Sequence, residues 1–131
     1  MVVDTSAIVA ALVGEPEADR LRDRLKRAEE CRISALTLLE TRIVLLRRFD
    51  AAVTAEFENL VRRRPLQVAA FDDDQAALAT DAYRRFGKGG GHPAQLNLAD
   101  CAAYALARSL GMPLLYKGED FARTDIEPAL V

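Results

Sequence analysis

The chain has 131 residues, half of them apolar and 29% charged, with a formal net charge of −2. That length suits one domain, residues 1–131, able to bury a sizeable core. The charge excludes a strongly basic nucleic-acid binder, so contact with RNA or DNA has to come from local patches or a bound cation.

Met1-Val2-Val3-Asp4 reads as a short buried strand ending on a carboxylate, with the helical run Ala7 to Val13 directly behind it. Gly14-Glu15-Pro16 breaks the pattern. Glu17 to Ala28 is a charged helix with Ala18, Leu21 and Leu25 on one face, and Cys31-Arg32-Ile33 a short strand. Ser34 caps a helix whose Leu36, Leu39, Ile43 and Leu46 form the apolar stripe expected to face the core. Ala51 to Arg64 is a further helix with Val53, Phe57, Leu60 and Val61 inward, stopped by Pro65. Leu66 to Phe71 reads as a strand, Asp72-Asp73-Asp74 as the cap of a helix from Gln75 to Phe86, and Gly87 to Gln95 as a glycine-rich loop. Asn97 starts an almost wholly apolar helix to Leu110, Gly111 ends it, and Met112 to Tyr116 is a buried strand. The tail from Ile126 to Val131 is placed as a last short strand. Strands alternating with helices indicate an α/β sandwich, a parallel sheet covered on both faces.

No apolar run reaches membrane-spanning length, and no charged segment followed by an apolar one opens the sequence, so a cytoplasmic protein is expected. Cys31 and Cys101 sit in apolar contexts without metal-ligand spacing and read as buried thiols in a reducing compartment.

The chemistry-bearing residues are acids. Asp4 stands at the carboxyl end of the first strand, where open α/β sheets bind ligands. It is equally suited to capping the following helix, unless Thr5 or Ser6 does so. Glu40 borders the apolar stripe of its helix, where a carboxylate is costly without a partner such as Arg42 or Arg47, or a bound cation. Asp100 lies three residues after Asn97, which is capping-box spacing, yet its helix is apolar nearly all round. Its polar residues Asp100, Tyr104 and Arg108 recur every four positions. Asp120, with Glu119 as its competitor, follows the last buried strand. Carboxylates gathered in one cleft repel unless a proton or a cation compensates. An all-oxygen set without a Cys or His cluster suits Mg²⁺ or Mn²⁺ rather than zinc.

Other features weigh less. Gly87-Lys88-Gly89-Gly90-Gly91-His92 lacks the Gly-Lys-Ser/Thr of a Walker A loop and reads first as a connection. Its functional reading is a sugar–phosphate contact through backbone amides, Lys88, Arg84 and Arg85. His92 reads as a surface loop residue, Arg62-Arg63-Arg64 as a solvated helix end, and Asp72-Asp73-Asp74 as a cap. Thr5 is placed as a capping residue, and Ser6 either caps or meets a phosphate.

Val2-Val3-Asp4-Thr5-Ser6-Ala7, Glu40 on the helix after the second strand, and Leu96-Asn97-Leu98-Ala99-Asp100-Cys101 resemble the PIN-domain ribonucleases. The ending Leu114 to Phe121 followed by Thr124-Asp125-Ile126 resembles, more narrowly, the VapC toxins of VapBC toxin–antitoxin pairs. The likeness covers essentially the whole chain. It implies a three-layer sandwich with a five-stranded parallel sheet of order 3-2-1-4-5. The activity it implies is a Mg²⁺- or Mn²⁺-dependent endoribonuclease cutting RNA, tRNA or rRNA among the targets. Asp4, Glu40 and Asp100 fall on the family's invariant acids. Many PIN domains carry the fourth acid where this chain has Gly118, so Asp120 or Glu119 would fill that role. The expected partners are a second copy of the chain and a VapB-like antitoxin, in a heterotetramer or larger assembly, the antitoxin reaching the acids from apolar grooves between the early helices. Two readings compete. One is a receiver-type phosphoacceptor domain, in which Lys117 would mimic the late lysine but Asp4-Thr5-Ser6 replaces the expected acidic pair. The other is a catalytically silent partner-binding module.

Overall fold

A computed structural model of the chain describes residues 1–63 and 66–130. β1 (Val2–Val3) passes through Asp4 into α1 (Thr5–Val13), and α2 (Ala18–Arg27) follows. Next come β2 (Cys31–Ser34), α3 (Ala35–Arg48), α4 (Ala51–Arg63) and β3 (Leu66–Ala69). α5 (Asp73–Phe86), α6 (Leu98–Leu110), β4 (Leu114–Leu115) and a 3₁₀ turn at Phe121–Arg123 complete the order. The predicted end of the fourth helix at Arg64 and Pro65 lies outside the described residues, as does Val131.

The sheet is parallel, in the order β3-β2-β1-β4. The expected fifth strand is reduced to one parallel bridge between Leu114 and Pro128. There Leu114 N donates to Glu127 O and Ala129 N donates to Leu114 O, each at 2.9 Å. The segment therefore lies beside β4, where a fifth strand belongs, but among the described residues it forms none. The bonds to β4 come from the residues on either side of Pro128, whose own backbone faces away from it.

β1 and β4 are two residues each, yet they feed both layers. Val3 and Leu115 join Ile8, Leu21, Ile33, Leu45 and Phe57 under α1 to α4. Val2 and Leu114 join Ala82, Phe86, Ala103 and Leu106 under α5 and α6. Successive strand residues point to opposite faces, so two residues per strand suffice to pin helices on both sides. β3 is an edge strand and leaves Val68 48% exposed.

α3 departs from its predicted orientation. Leu39, Ile43 and Leu46 are 57%, 45% and 76% exposed. The buried face carries Thr37, Leu38, Thr41 and Leu45 instead. Thr41 can be buried there because its hydroxyl donates to the Thr37 carbonyl at 2.8 Å, which offsets the cost of burying it. A stripe chosen by hydrophobicity alone picks the other face.

Candidate active site

All strands run the same way, so their carboxyl ends share one edge, and Asp4 lies on it next to β4. Its backbone N–H donates to Leu115 O at 2.9 Å. Asp4 itself caps α1, correcting the expectation that Thr5 does so: Oδ2 accepts from Ser6 N at 3.0 Å and from Ser6 Oγ at 2.6 Å. Ser6 Oγ in turn accepts from Lys117 N at 3.0 Å, tying the ends of β1 and β4 together. The other carboxylate oxygen, Oδ1, is buried and has no hydrogen-bond partner. Capping and site membership are thus compatible, one oxygen serving each.

The carboxyl group of Asp4 is 2% exposed, and burial lifts its pKa from 3.8 to about 6 against the pull of the Ser6 hydrogen bonds, with the Glu40 charge adding to the rise. Asp100 behaves alike. Its Oδ2 accepts from Asn97 N at 3.0 Å while Asn97 Oδ1 accepts from Asp100 N at 2.9 Å, closing the predicted capping box at the head of α6. Burial first, then the charges of Asp4, Glu40 and Asp120, push Asp100 to about 7. Asp100, on α6, thus lies within electrostatic reach of Asp4 from β1, Glu40 from α3 and Asp120 from the segment after β4. Glu119 is exposed, and its charge adds to a rise in the Tyr116 pKa that burial chiefly causes. Among the described residues, no three acid, histidine or cysteine side chains are already drawn together closely enough to share an ion. Uncompensated carboxylates repel, and that separation is the direction repulsion favours.

Of the cations proposed to touch substrate, Arg84 and Arg85 are engaged by acids. Arg84 pairs with Asp81 at 2.8 Å. Arg85 pairs with Asp125 at 3.0 Å and lies over the Phe86 ring, so it ties α5 to the C-terminal segment. Lys88 is exposed, its backbone N–H bonded to Leu96 O and its carbonyl to the Tyr83 hydroxyl, both at 2.9 Å. His92 is half-buried rather than a free loop residue: its ring meets Phe86 edge-on and its Nδ1 accepts from Ala94 N at 3.0 Å. Asp72 caps α5 through Gln75 N, as expected. Cys31 and Cys101 are buried and not disulfide-bonded.

Sequence reasoning missed Thr41. Thr5 Oγ1 and Thr41 Oγ1 lie 2.9 Å apart in the core between α1 and α3, and each threonine directly follows one of the acids. No pattern in either segment announces the pairing. Away from the acids, an apolar groove of about 550 Å³ is lined by Ile8, Leu12, Leu25, Leu60 and Leu66, with Arg22 and Glu56 at its border. No helix among the described residues is long and apolar enough to cross a membrane.

The PIN domain family model matches residues 1–127. Ribonuclease VapC42 of Mycobacterium tuberculosis is 46% identical over 129 residues, which is 98% of this chain and 98% of that protein. This chain belongs to the PIN-domain family, among its VapC ribonucleases. Membership in the VapC family decides against the phosphoacceptor reading, which required an acidic pair where Thr5 and Ser6 stand. The fold agrees: the crystal structure of Mycobacterium tuberculosis VapC20, a sarcin–ricin loop cleaving toxin, superposes with a TM-score of 0.76 at 20% identity, covering 95% of each chain. A toxin–antitoxin complex from Klebsiella pneumoniae aligns with a TM-score of 0.69 at 16% identity, over 92% of this chain and 89% of that one.

Proposed function

We propose that this VapC-family protein is the toxin of a toxin–antitoxin pair, an endoribonuclease that hydrolyses RNA phosphodiester bonds with Mg²⁺ or Mn²⁺ held by Asp4, Asp100 and Glu40. The observation that carries the reading is the buried, unpartnered Oδ1 of Asp4 in the field of two further carboxylates. A buried acceptor left open is costly, and a divalent cation satisfies it while lowering the repulsion around it. The donor set is all oxygen and fits a hard cation. A divalent ion held by these acids would supply positive charge toward the scissile phosphate and make a water more nucleophilic.

The protein's own residues divide the remaining work. Ser6 holds Asp4 by Oδ2, so that Oδ1 keeps one direction. Asn97 does the same for Asp100 at the N-terminus of α6, where backbone amides favour negative charge. Glu40 orients the attacking water or holds the ion through water. Asp120, exposed and with its charge adding to the rise at Asp100, would support a weaker second ion, with Glu119 beside it as the alternative. Lys88 on the exposed glycine turn is offered to the sugar–phosphate backbone, with Arg84 and Arg85 as weaker contacts because Asp81 and Asp125 already hold them. Ser6 is better described as the anchor of Asp4 than as a phosphate ligand.

The groove between α1, α2 and α4 suits an apolar segment of a VapB-like antitoxin. The exposed Leu39, Ile43 and Leu46 on α3 suit burial against a second copy of the chain.

The test is cleavage of single-stranded RNA by purified protein. Activity should vanish in EDTA, return with excess Mg²⁺ or Mn²⁺, and be lost in Asp4→Asn together with growth inhibition on expression. Undiminished cleavage in chelator by protein free of contaminating nuclease would overturn the mechanism. Growth inhibition retained by Asp4→Asn would favour a silent partner-binding module.

A further inference from the structure

The acids of the proposed metal site come from elements far apart in sequence, and something must fix their separation. Asp4 and Glu40 are each followed by a threonine, and these two hydroxyls meet. Thr5 and Thr41 are 7% and 0% exposed, and their Oγ1 atoms lie 2.9 Å apart across 36 positions of chain. The hydrogens can be assigned by counting. Thr41 Oγ1 donates to the Thr37 carbonyl one turn earlier in α3, at 2.8 Å. Having spent its hydrogen, it can only accept from Thr5, whose own alternative acceptor, the same carbonyl, is more distant at 3.4 Å. The result is a relay from the first residue of α1 into the backbone of α3, buried where water cannot substitute for it.

From this arrangement we infer that the Thr5–Thr41 hydroxyl pair is a positioning device, which sets Glu40 against Asp4 and so determines how tightly the site grips a divalent cation. The inference rests on the metal-dependent reading above. Neither hydroxyl touches the ion or substrate; both act through the adjoining acid. Helix α1 is already held at its start by the Asp4 cap and by Ser6 against Lys117 N, so Asp4 has a fixed seat on the sheet. Helix α3 also starts from the sheet, its first turn capped by Ser34 at the end of β2, whose Oγ accepts from Leu36 N at 3.2 Å, but Glu40 lies a turn further along, where the Thr5–Thr41 contact is made. The hydroxyl pair is a buried polar link between α1 and α3 beside that residue, directional where apolar packing is not. Groups that hydrogen-bond a metal ligand directly typically tune affinity by roughly 10–100-fold, and this pair, which reaches the ligands through the backbone, is expected at the low end of that range.

Thr5→Val is the cleanest probe. It keeps the volume and the β-branch, and leaves Thr41 its carbonyl acceptor, so no new buried donor is orphaned. Calorimetric titration of Mn²⁺ into the full chain, with the thermal midpoint in EDTA measured alongside, reads affinity separately from fold. Thr5→Val and Thr41→Val should each weaken Mn²⁺ binding about tenfold. The double variant should be no worse than either single, because both remove the same bond. Thr5→Ser, which restores the hydroxyl, should recover native affinity. Native Mn²⁺ affinity in the folded valine variants, or losses that simply add in the double variant, would overturn the inference. So would valine variants that fail to fold beside a folded serine variant, which would make the contact a stability element only. Asp4→Asn separates the two levels. If it binds Mn²⁺ undiminished, the metal site itself is refuted; if it loses binding while Thr5→Val keeps it, the positioning role alone is refuted.

Discussion

A carboxylate that caps a helix with one oxygen and leaves the other buried and open carries a conflict within a single side chain. Asp4 gains from its Ser6 contacts, yet burial raises its pKa to about 6, so at neutral pH the ionised group costs the metal-free fold something. Asparagine resolves that conflict in favour of stability. Its side-chain oxygen can take the Ser6 donors as a good N-cap, and it brings no charge into the core. Asp4→Asn is therefore expected to raise the thermal midpoint of the metal-free protein near neutral pH, by an amount on the order of 1 kcal/mol in unfolding free energy, while abolishing cleavage. A drop of similar size would mean that the carboxylate is there for the fold. Thr37 offers a companion case without a charge. Its hydroxyl oxygen is buried and unpartnered among the described residues. Thr37→Val should be neutral or stabilising by up to about 1 kcal/mol in denaturant unfolding, because it removes an orphaned polar atom at constant shape.

At the scale of elements, the turn from α5 into the glycine loop depends on one residue having no side chain. A Cβ on Gly87 would lie 2.3 Å from the Tyr83 carbonyl and 2.7 Å from its ring. The same residue pairs with Leu96 in an isolated bridge that closes the loop, and its N–H caps α5 on Tyr83 O at 2.7 Å. Gly87→Ala should cost about 1–3 kcal/mol by overpacking and loosen the loop bearing Lys88. A thermal midpoint unchanged from native would show that the neighbouring turn relaxes freely. Long periodic elements such as α2, α4 and α6 were legible in the sequence because their apolar residues recur at helical spacing, and α6 also because Asn97 and Gly111 cap its two ends. α3 was legible as a helix but not in its facing, since the buried threonines give no hydrophobic signal and its leucines lie on the open side. The fifth strand was legible only as a segment beside β4, where the pairing stops at the single bridge of Leu114 with Pro128. Among the site residues, acids at strand ends could be picked out by type alone. The Thr5–Thr41 bond could not, because it exists only once two helices distant in sequence have packed.

For the molecule as a whole, the acid group makes stability depend on pH in a direction opposite to ordinary acid denaturation. Asp4 and Asp100 both start from 3.8 and rise to about 6 and about 7 in the fold. Between the unfolded and folded values the native state holds more protons than the unfolded chain, so unfolding free energy falls as pH rises. Without metal, stability should be greatest near the lower end of that window, decline through about 7 and then level off. Glu58 and Asp125, whose pKa values are lowered by Arg42 and by Tyr104 and Arg85, oppose this only below the ordinary carboxylate range, where their stabilisation is lost. Metal inverts the slope. Divalent cations bind the deprotonated carboxylates, so affinity grows with pH over the same window. An ion present at a hundred times its dissociation constant adds about 2.7 kcal/mol. Thermal midpoints measured from about pH 5 to about pH 8 should therefore fall in EDTA and stay level or rise with saturating Mn²⁺, the two curves diverging as the acids ionise. Asp4→Asn should flatten part of the EDTA decline and shrink the divergence. Midpoints in EDTA that climb across the window, or curves that run parallel with and without Mn²⁺, would show that these acids neither carry the burden of burial nor meet the ion.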